Sequence, residues 1–403
     1  MPELSVRDRL ESIGFTGRMP GDALSFPRSV LVPASLRGSL RFALSGTDRF
    51  EWPGIHEVHA GWSSKRYDEN KWLEQHQGLV FNGKHWFCSQ LGGTIRRCED
   101  NTVDRPRIGA TLDTVSVPGA VQNKYTHLGE IEWARVQAFA GFAPGLLGAS
   151  GGAKGLILAA MEQDGDKYWC GTSLAFRDDM SGFCPEASSP LLYPAAYLNG
   201  PPVGQTGPLF AQRSCPWIAL NPWDGLLYSA PFNPAMGPNG GILIHAYDVN
   251  DRVFLTRSAV QNHEAQYRVP LALFDALDTD SDGVIWAYRF VRAVELGAYL
   301  QRIQGGCFSN NGFLYLVNDV AGNHGVWRFS MLSGALLDVI GVDKEGGDFQ
   351  ECEGICLYGA DAAYAIPPYP SPGETFVCAT VWEWDTGDDI VWLKDLKLGP
   401  FVS

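Results

Sequence analysis

An all-β fold is the expectation for this chain of 403 residues, and three observations carry it. Glycine (46) and proline (25) exceed average usage and are spread along the whole length, as many short strands joined by tight turns require. The 13 Trp, 14 Tyr and 21 Phe favour pleated, half-buried surfaces. Third, a strand–turn–strand unit recurs. QHQGLVFNGKHWF (Gln75 to Phe87) and RIQGGCFSNNGFLYLVND (Arg302 to Asp319) each carry a polar lead-in, a glycine, a short apolar run, an Asn-Gly turn and an aromatic-rich strand. CPWIALNPWDGLLYSAPF (Cys215 to Phe232) repeats the pattern with Trp217 at the glycine position. Such a unit cannot bury its apolar faces alone. Stacking copies radially around an axis buries them and removes most open edges. The expected architecture is a single β-propeller domain over residues 1–403, five blades preferred and six if a diverged unit is hidden, with long inter-strand insertions. A large β-sandwich or two all-β domains is the alternative.

Each element follows from its local pattern. Ser29 to Ala34 (SVLVPA) and Gly38 to Leu44 (GSLRFAL) read as short strands, so residues 1–50 supply either ring-closing strands or a cap. THLGEIEW (Thr126 to Trp133) opens a second unit, and residues 134–165 and 182–207, rich in glycine or proline, read as loop insertions. VPLALFDAL (Val269 to Leu277) fits a strand or a short helix, and VRAVELGAYLQRI (Val291 to Ile303) mixes helical periodicity with β-compatible residues. GVWRFSMLSGALLDVIG (Gly325 to Gly341) returns to a hairpin pattern, and ECEGICLYGADAAYAI (Glu351 to Ile366) begins the last unit. VCATVWEW, a TGDD turn and IVWLKDL form a final hairpin. The unit entries align Gly78, Gly129, Gly306 and Gly354 with Trp217.

The formal net charge of −14, from 31 Lys and Arg against 45 Asp and Glu, argues against a nucleic-acid partner. No window reaches eighteen uncharged apolar residues, which argues against a helical membrane span. The nine cysteines lack the dense even spacing of a disulfide framework, and Cys88, Cys307 and Cys356 sit in apolar runs as reduced core residues do. A cytoplasmic location is the expectation, with a mature secreted form as the alternative. Nucleotide-binding and nucleophile-elbow patterns fail: GGAKGL (Gly151 to Leu156) is no phosphate loop and GASGG (Gly148 to Gly152) lacks the required spacing, so no nucleotide cofactor is expected.

Through QHQGLVFNGKHWFC, HLGEIEW, QGGCFSNNGFLYLVND and ECEGICLY the chain resembles the β-propeller superfamily, more like the irregular calcium-dependent lactonase and NHL-like propellers than WD40 repeats. The resemblance implies a pocket at the central channel and a divalent metal held there by acidic and amide side chains. The lead positions of this chain carry histidine and glutamine more often than acids.

Those lead positions are His76, Gln77, His127, Gln304 and Glu353, which a propeller brings together around its axis. Imidazole relays protons near neutral pH, and a carboxylate can orient it or bind a cation. Glu130 and Glu132 alternate with Ile131 and Trp133, placing both acids on one strand face, with Glu130 one residue beyond the shared glycine. The expected catalytic set is His76, His127, Glu130 and Glu353. Gln77, Gln304, Trp217 and Trp223 are the substrate-binding candidates, the tryptophans either ligand platforms or inter-blade clamps. The substrate is a small polar or aromatic molecule. Hydrolysis leads as reaction; a lyase, isomerase or cyclase, or a noncatalytic carbohydrate- or peptide-binding propeller, is the alternative.

A separate signal is DTDSDG. Asp278, Asp280 and Asp282 set acids at alternate positions before Gly283, as calcium loops do, and calcium or another divalent ion is the candidate cofactor. The position where a complete EF-hand needs a bidentate acid is Arg289, so the expectation is a calcium-stabilised β-hairpin loop or a plain acidic turn.

Overall fold

The computed structural model describes residues 23–25, 41–43, 55–58, 62–68, 76–90, 92–122, 127–139, 153–162, 169–194, 209–310, 312–319, 325–342, 350–362, 374–383 and 390–402. Two short strands, β1 (Ala23–Ser25) and β2 (Arg41–Ala43), pair with each other. They are followed by β3 (Ile55–Val58) and β4 (Ser63–Asp68). Blade one is β5 (His76–Phe81), β6 (Trp86–Gln90), β7 (Thr94–Asp100) and β8 (Ile108–Ser116), with a helical turn α1 (Gly119–Gln122) after it. Blade two is β9 (His127–Arg135), β10 (Gly155–Glu162), β11 (Thr172–Arg177) and β12 (Ser189–Pro190). A small pair, β13 (Leu192–Pro194) and β14 (Leu209–Ala211), leads to blade three: β15 (Trp217–Leu220), β16 (Leu226–Ala230), β17 (Ile242–Thr256) and β18 (Val284–Leu296). Helices α2 (Arg257–Asn262), α3 (Glu264–Tyr267) and α4 (Leu271–Leu277) are inserted between β17 and β18. Blade four is β19 (Ile303–Phe308), β20 (Phe313–Asn318), β21 (Gly325–Ser330) and β22 (Leu336–Gly341). Blade five is β23 (Gln350–Gly359), β24 (Thr375–Glu383) and β25 (Ile390–Val402), and both β3 and β4 pair with β25 to complete it. All pairs are antiparallel, the blades being four- or five-stranded and β1–β2 and β13–β14 two-stranded, and the first strands of the blades neighbour one another in a closed ring, β5–β9–β15–β19–β23.

This is the five-bladed propeller; the six-blade and sandwich alternatives fall away. The strand chemistry follows from the ring. The innermost strands are walled by neighbouring blades, so β5, β15 and β19 are buried along their whole length, whereas the outer β8 is mostly exposed. The Asn-Gly and Asp-Gly turns read from the sequence close the first hairpins of three blades: Gly83, Gly225 and Gly312 all have positive φ.

The glycines at the blade entries have a packing cause. A Cβ on Gly78 would lie 2.7 Å from the Glu130 Cα and the Ile131 nitrogen, and one on Gly129 would lie 2.4 Å from the Pro216 oxygen. Five blades leave a narrow axis, and the first strands meet there backbone to backbone. Trp217, which stands in for a glycine in blade three, is wholly buried and lies where a Cβ on Gly306 would intrude, 2.6 Å from its ring.

Several expectations are settled and some corrected. The strands that join the carboxyl-terminal hairpin are β3 and β4, beyond the first fifty residues; Arg41–Ala43 pairs with Ala23–Ser25, and Ser29 to Ala34 lies outside the described residues. Leu271–Leu277 is helical, while Val291 to Leu296 continues β18, because β17 offers that segment a long pairing edge that a helix would leave open. The stretch 134–165 holds strand β10, and 182–207 holds β12 and β13. The nine cysteines are all free and buried. No helix among the described residues is long and apolar enough to cross a membrane.

Candidate functional site at the propeller axis

The axial edge of each first strand presents backbone N–H and C=O groups that no further strand can pair. The strands are irregular there: pairing registers shift at His76/Gly78 in β5, Ile303/Gly305 in β19 and Cys352/Ile355 in β23. Glu130 fills the centre. One of its carboxylate oxygens accepts the N–H groups of Leu79 (2.9 Å) and Ile131 (3.0 Å), and the other accepts that of Ile355 (2.6 Å). That second oxygen also occupies the space a Cβ on Gly305 would need. A single side chain thus ties blades one, two and five together and abuts blade four. Burial pushes its carboxyl well above the usual range, against the pull of three N–H donors.

Because Leu79, Gly305 and Ile355 all meet Glu130, the residues just before them converge on one mouth of the axis. His127 Nε2 lies 2.5 Å from Gln77 Oε1, a contact between blades one and two. Gln304 Nε2 donates to Glu353 Oε1 at 3.5 Å, between blades four and five. The Gln77 contact holds the His127 imidazole at the seam of blades one and two. His127 is half-buried, while His76, Gln77, Gln304 and Glu353 are buried. Desolvation pushes His76 down to about 4, making it a weak base that stays neutral at ordinary pH. The structure therefore pairs Gln77 with His127 and Gln304 with Glu353, and it gives Glu130 a role as an axial clasp that the sequence did not reveal.

Beside this mouth stands Arg302, which the sequence reading passed over. Its guanidinium bonds buried Asp319 at 2.5 Å, approaches Glu351 at 3.7 Å and lies over the Phe232 ring. The tryptophans are elsewhere. Trp217 is the inter-blade wedge described above. Trp223 is half-buried in the turn after β15, at the opposite end of its strand from the mouth, and gives its indole N–H to the Asn310 carbonyl at 2.7 Å.

Below Glu130 the axis holds a small cavity lined by Val80, Phe81, Glu132, Cys307, Phe308 and Cys356 among others, with room for an ordered water. Burial raises the Glu132 carboxyl to about 8, opposed by the N–H groups of Trp133 and Leu220. An acid whose affinity for its proton is raised in the folded state keeps that proton while the unfolded chain releases it. Stability therefore falls as pH rises from the ordinary carboxyl range to about 8. Glu132→Gln keeps the shape and removes the titration. Denaturant titrations should show the wild type losing about 2 kcal/mol more than Glu132→Gln between about pH 6 and about pH 8. Parallel curves would mean that Glu132 is not a buried, proton-holding acid.

The acidic loop lies between α4 and β18. It ends the helical insertion that connects the antiparallel strands β17 and β18, so the loop sits in a long hairpin connection. Carboxylate oxygens of Asp278, Asp280 and Asp282 lie within 4.8 Å of one another. Asp278 Oδ2 accepts the Gly283 N–H and Asp282 Oδ1 that of Val284, while Asp278 Oδ1 is sealed from solvent with no hydrogen bond. The three hard oxygen donors suit a calcium ion, whose remaining ligands would be carbonyls or water.

No family model and no curated protein matches the chain. Among solved structures it is similar to a glutaminyl cyclase from Myxococcus xanthus, at 12% identity over 87% of this chain and 100% of that one, with a TM-score of 0.37. A provisionally assigned gluconolactonase is 10% identical over 86% of this chain and 96% of that one, with a TM-score of 0.35. The tail fibre of Staphylococcus aureus phage P68 is 12% identical over 80% and 50% of the two chains, with a TM-score of 0.39. Likenesses at this level carry no argument about activity.

Proposed function

We propose that the protein is an enzyme acting on a small polar or aromatic molecule at the mouth of the propeller axis, with His127 as the proton-transferring group and hydrolysis as the leading reaction. The observation that carries this reading is the Gln77–His127 contact across two blades, which holds a half-buried imidazole in place at their seam. Glu353, held by Gln304 from the facing side, is the carboxylate that would steady positive charge on the substrate or on His127. His76 is the lesser candidate, since burial makes it a poor base. A lyase, isomerase or cyclase would use the same groups. The test is a panel of lactones, esters, amides and amino-acid derivatives, followed by His127→Asn on whichever substrate turns over. Turnover should fall by about a hundredfold or more with the unfolding midpoint unchanged. Undiminished turnover in that variant would remove His127 from the chemistry, and tight binding without any chemical change across the panel would favour a noncatalytic sugar- or peptide-binding propeller.

The divalent ion in this reading belongs to the acidic loop and serves stability. An ion that binds only the folded chain raises its apparent stability by mass action. After chelation, calcium should raise the unfolding temperature of the wild type and have little effect on Asp280→Ala. Equal responses of the two proteins to calcium would show that the loop holds no ion.

A further inference from the structure

A second polar constellation lies away from the axis, between blades two and three, and its hydrogen bonds fix the protonation of a histidine. The Ser214 carbonyl can only accept, so the Gln212 atom 2.9 Å from it is the amide nitrogen, which also donates to Ser229 Oγ at 2.8 Å. That hydroxyl spends its own hydrogen on the Trp217 carbonyl. The Gln212 oxygen is thereby turned toward His245 Nδ1 (3.1 Å) and the Tyr247 hydroxyl (3.0 Å), and both must donate to it. His245 consequently bears its hydrogen on Nδ1 and a lone pair on Nε2.

His245 is 5% exposed, and burial pushes it down to about 4, so the imidazole is neutral at ordinary pH. Its Nε2 makes no hydrogen bond among the described residues, yet it is not one of the polar atoms sealed from solvent. The Tyr193 ring covers one face of His245 at 4.6 Å, Phe290 meets it edge-on at 5.9 Å, and the Tyr193 hydroxyl likewise has no hydrogen bond among the described residues. The next residue after Gln212, Arg213, faces outward. It has no ion-pair partner among the described residues and is close enough to Tyr193 to act on its phenol electrostatically.

We propose that Arg213, Tyr193 and His245 form a second binding site, for a small carboxylate that carries a hydroxyl or amino donor next to its carboxyl group. Arg213 takes the carboxylate, His245 Nε2 accepts the neighbouring donor, and the Tyr193 hydroxyl can serve either group. Gln212 is a positioning residue that holds the imidazole in its accepting form. The site uses no residue of the axial mouth and stands or falls independently of the activity proposed there.

The side-chain nitrogens of His245, followed by NMR in protein labelled with nitrogen-15 histidine and assigned with His245→Asn, give the test. At neutral pH Nε2 should be unprotonated and Nδ1 protonated. Lactate should shift the Nε2 resonance saturably. Propionate, which lacks the donor, should bind about tenfold more weakly, and Arg213→Gln should weaken lactate by about tenfold. A hydrogen on Nε2, no saturable shift with lactate, equal binding of lactate and propionate, or undiminished lactate binding by Arg213→Gln would each overturn the proposal.

Discussion

Glu130→Ala is expected to cost the fold on the order of 4 kcal/mol or more, because it orphans three buried backbone N–H groups at the axis at about 1–3 kcal/mol each. Whole-protein stabilities lie at about 5–15 kcal/mol, so the variant stands near the threshold of folding at all. The measurement is a denaturant midpoint together with hydrogen exchange at Leu79, Ile131 and Ile355, whose amides donate to the missing carboxylate. Those amides should lose protection first. Glu130→Gln separates the clasp from chemistry: it retains an accepting oxygen but turns an NH2 group toward one of the donors, and should cost about half as much. A Glu130→Gln protein of unchanged stability and abolished turnover would instead make this residue catalytic, as its place on the strand first suggested.

Gly78→Ala should be nearly as damaging, at about 3 kcal/mol. Its Cβ would come within 2.7 Å of backbone atoms of Glu130 and Ile131 in the next blade, and backbone at a closed axis has nowhere to shift. Gly92, where a Cβ meets nothing within 4 Å, provides the control, and Gly92→Ala should leave the unfolding midpoint within error of wild type. Equal effects of the two substitutions would refute the explanation of the entry glycines as a steric requirement of the narrow axis.

The glycines also show what the sequence can disclose. Gly78, Gly129 and Gly354 each meet backbone of a neighbouring blade, while Gly306 is hemmed in by the Trp217 and Leu316 side chains; a crowded axis met copy after copy is visible as a pattern. The pairs Gln77–His127 and Gln304–Glu353 were legible for the same reason: once the units are aligned, entry positions of adjacent blades become neighbours. Glu130 as a clasp was not legible, because its partners are backbone N–H groups, which every residue but proline possesses and which leave no mark in the sequence. The Gln212–His245 arrangement escaped for a different reason. Its members come from β17, β13 and the segment before β15, and their meeting depends on registers of three separate pairings that no single stretch encodes. Residues 291–296 carry some helical periodicity, yet the partner strand β17 overrides it, since tertiary pairing outweighs local preference.

The closure of blade five has a mechanical consequence. Strand β25 runs antiparallel to β3, with Val402 opposite Ile55 and Leu398 opposite Val58, so the outward-leading ends of both strands lie at the same end of the join. Tension applied between residues 55 and 402 would load those bonds singly, peeling the pair open from Ile55 like a zipper, instead of shearing the ladder all at once. Lys394 and Ser64, hydrogen-bonded at 2.9 Å, are 330 residues apart in the chain. Drawing a loop of that length together costs about 5 kcal/mol of entropy by the logarithmic law for flexible chains. Under load on the two strands the join therefore bears the force directly, ahead of blades two to four.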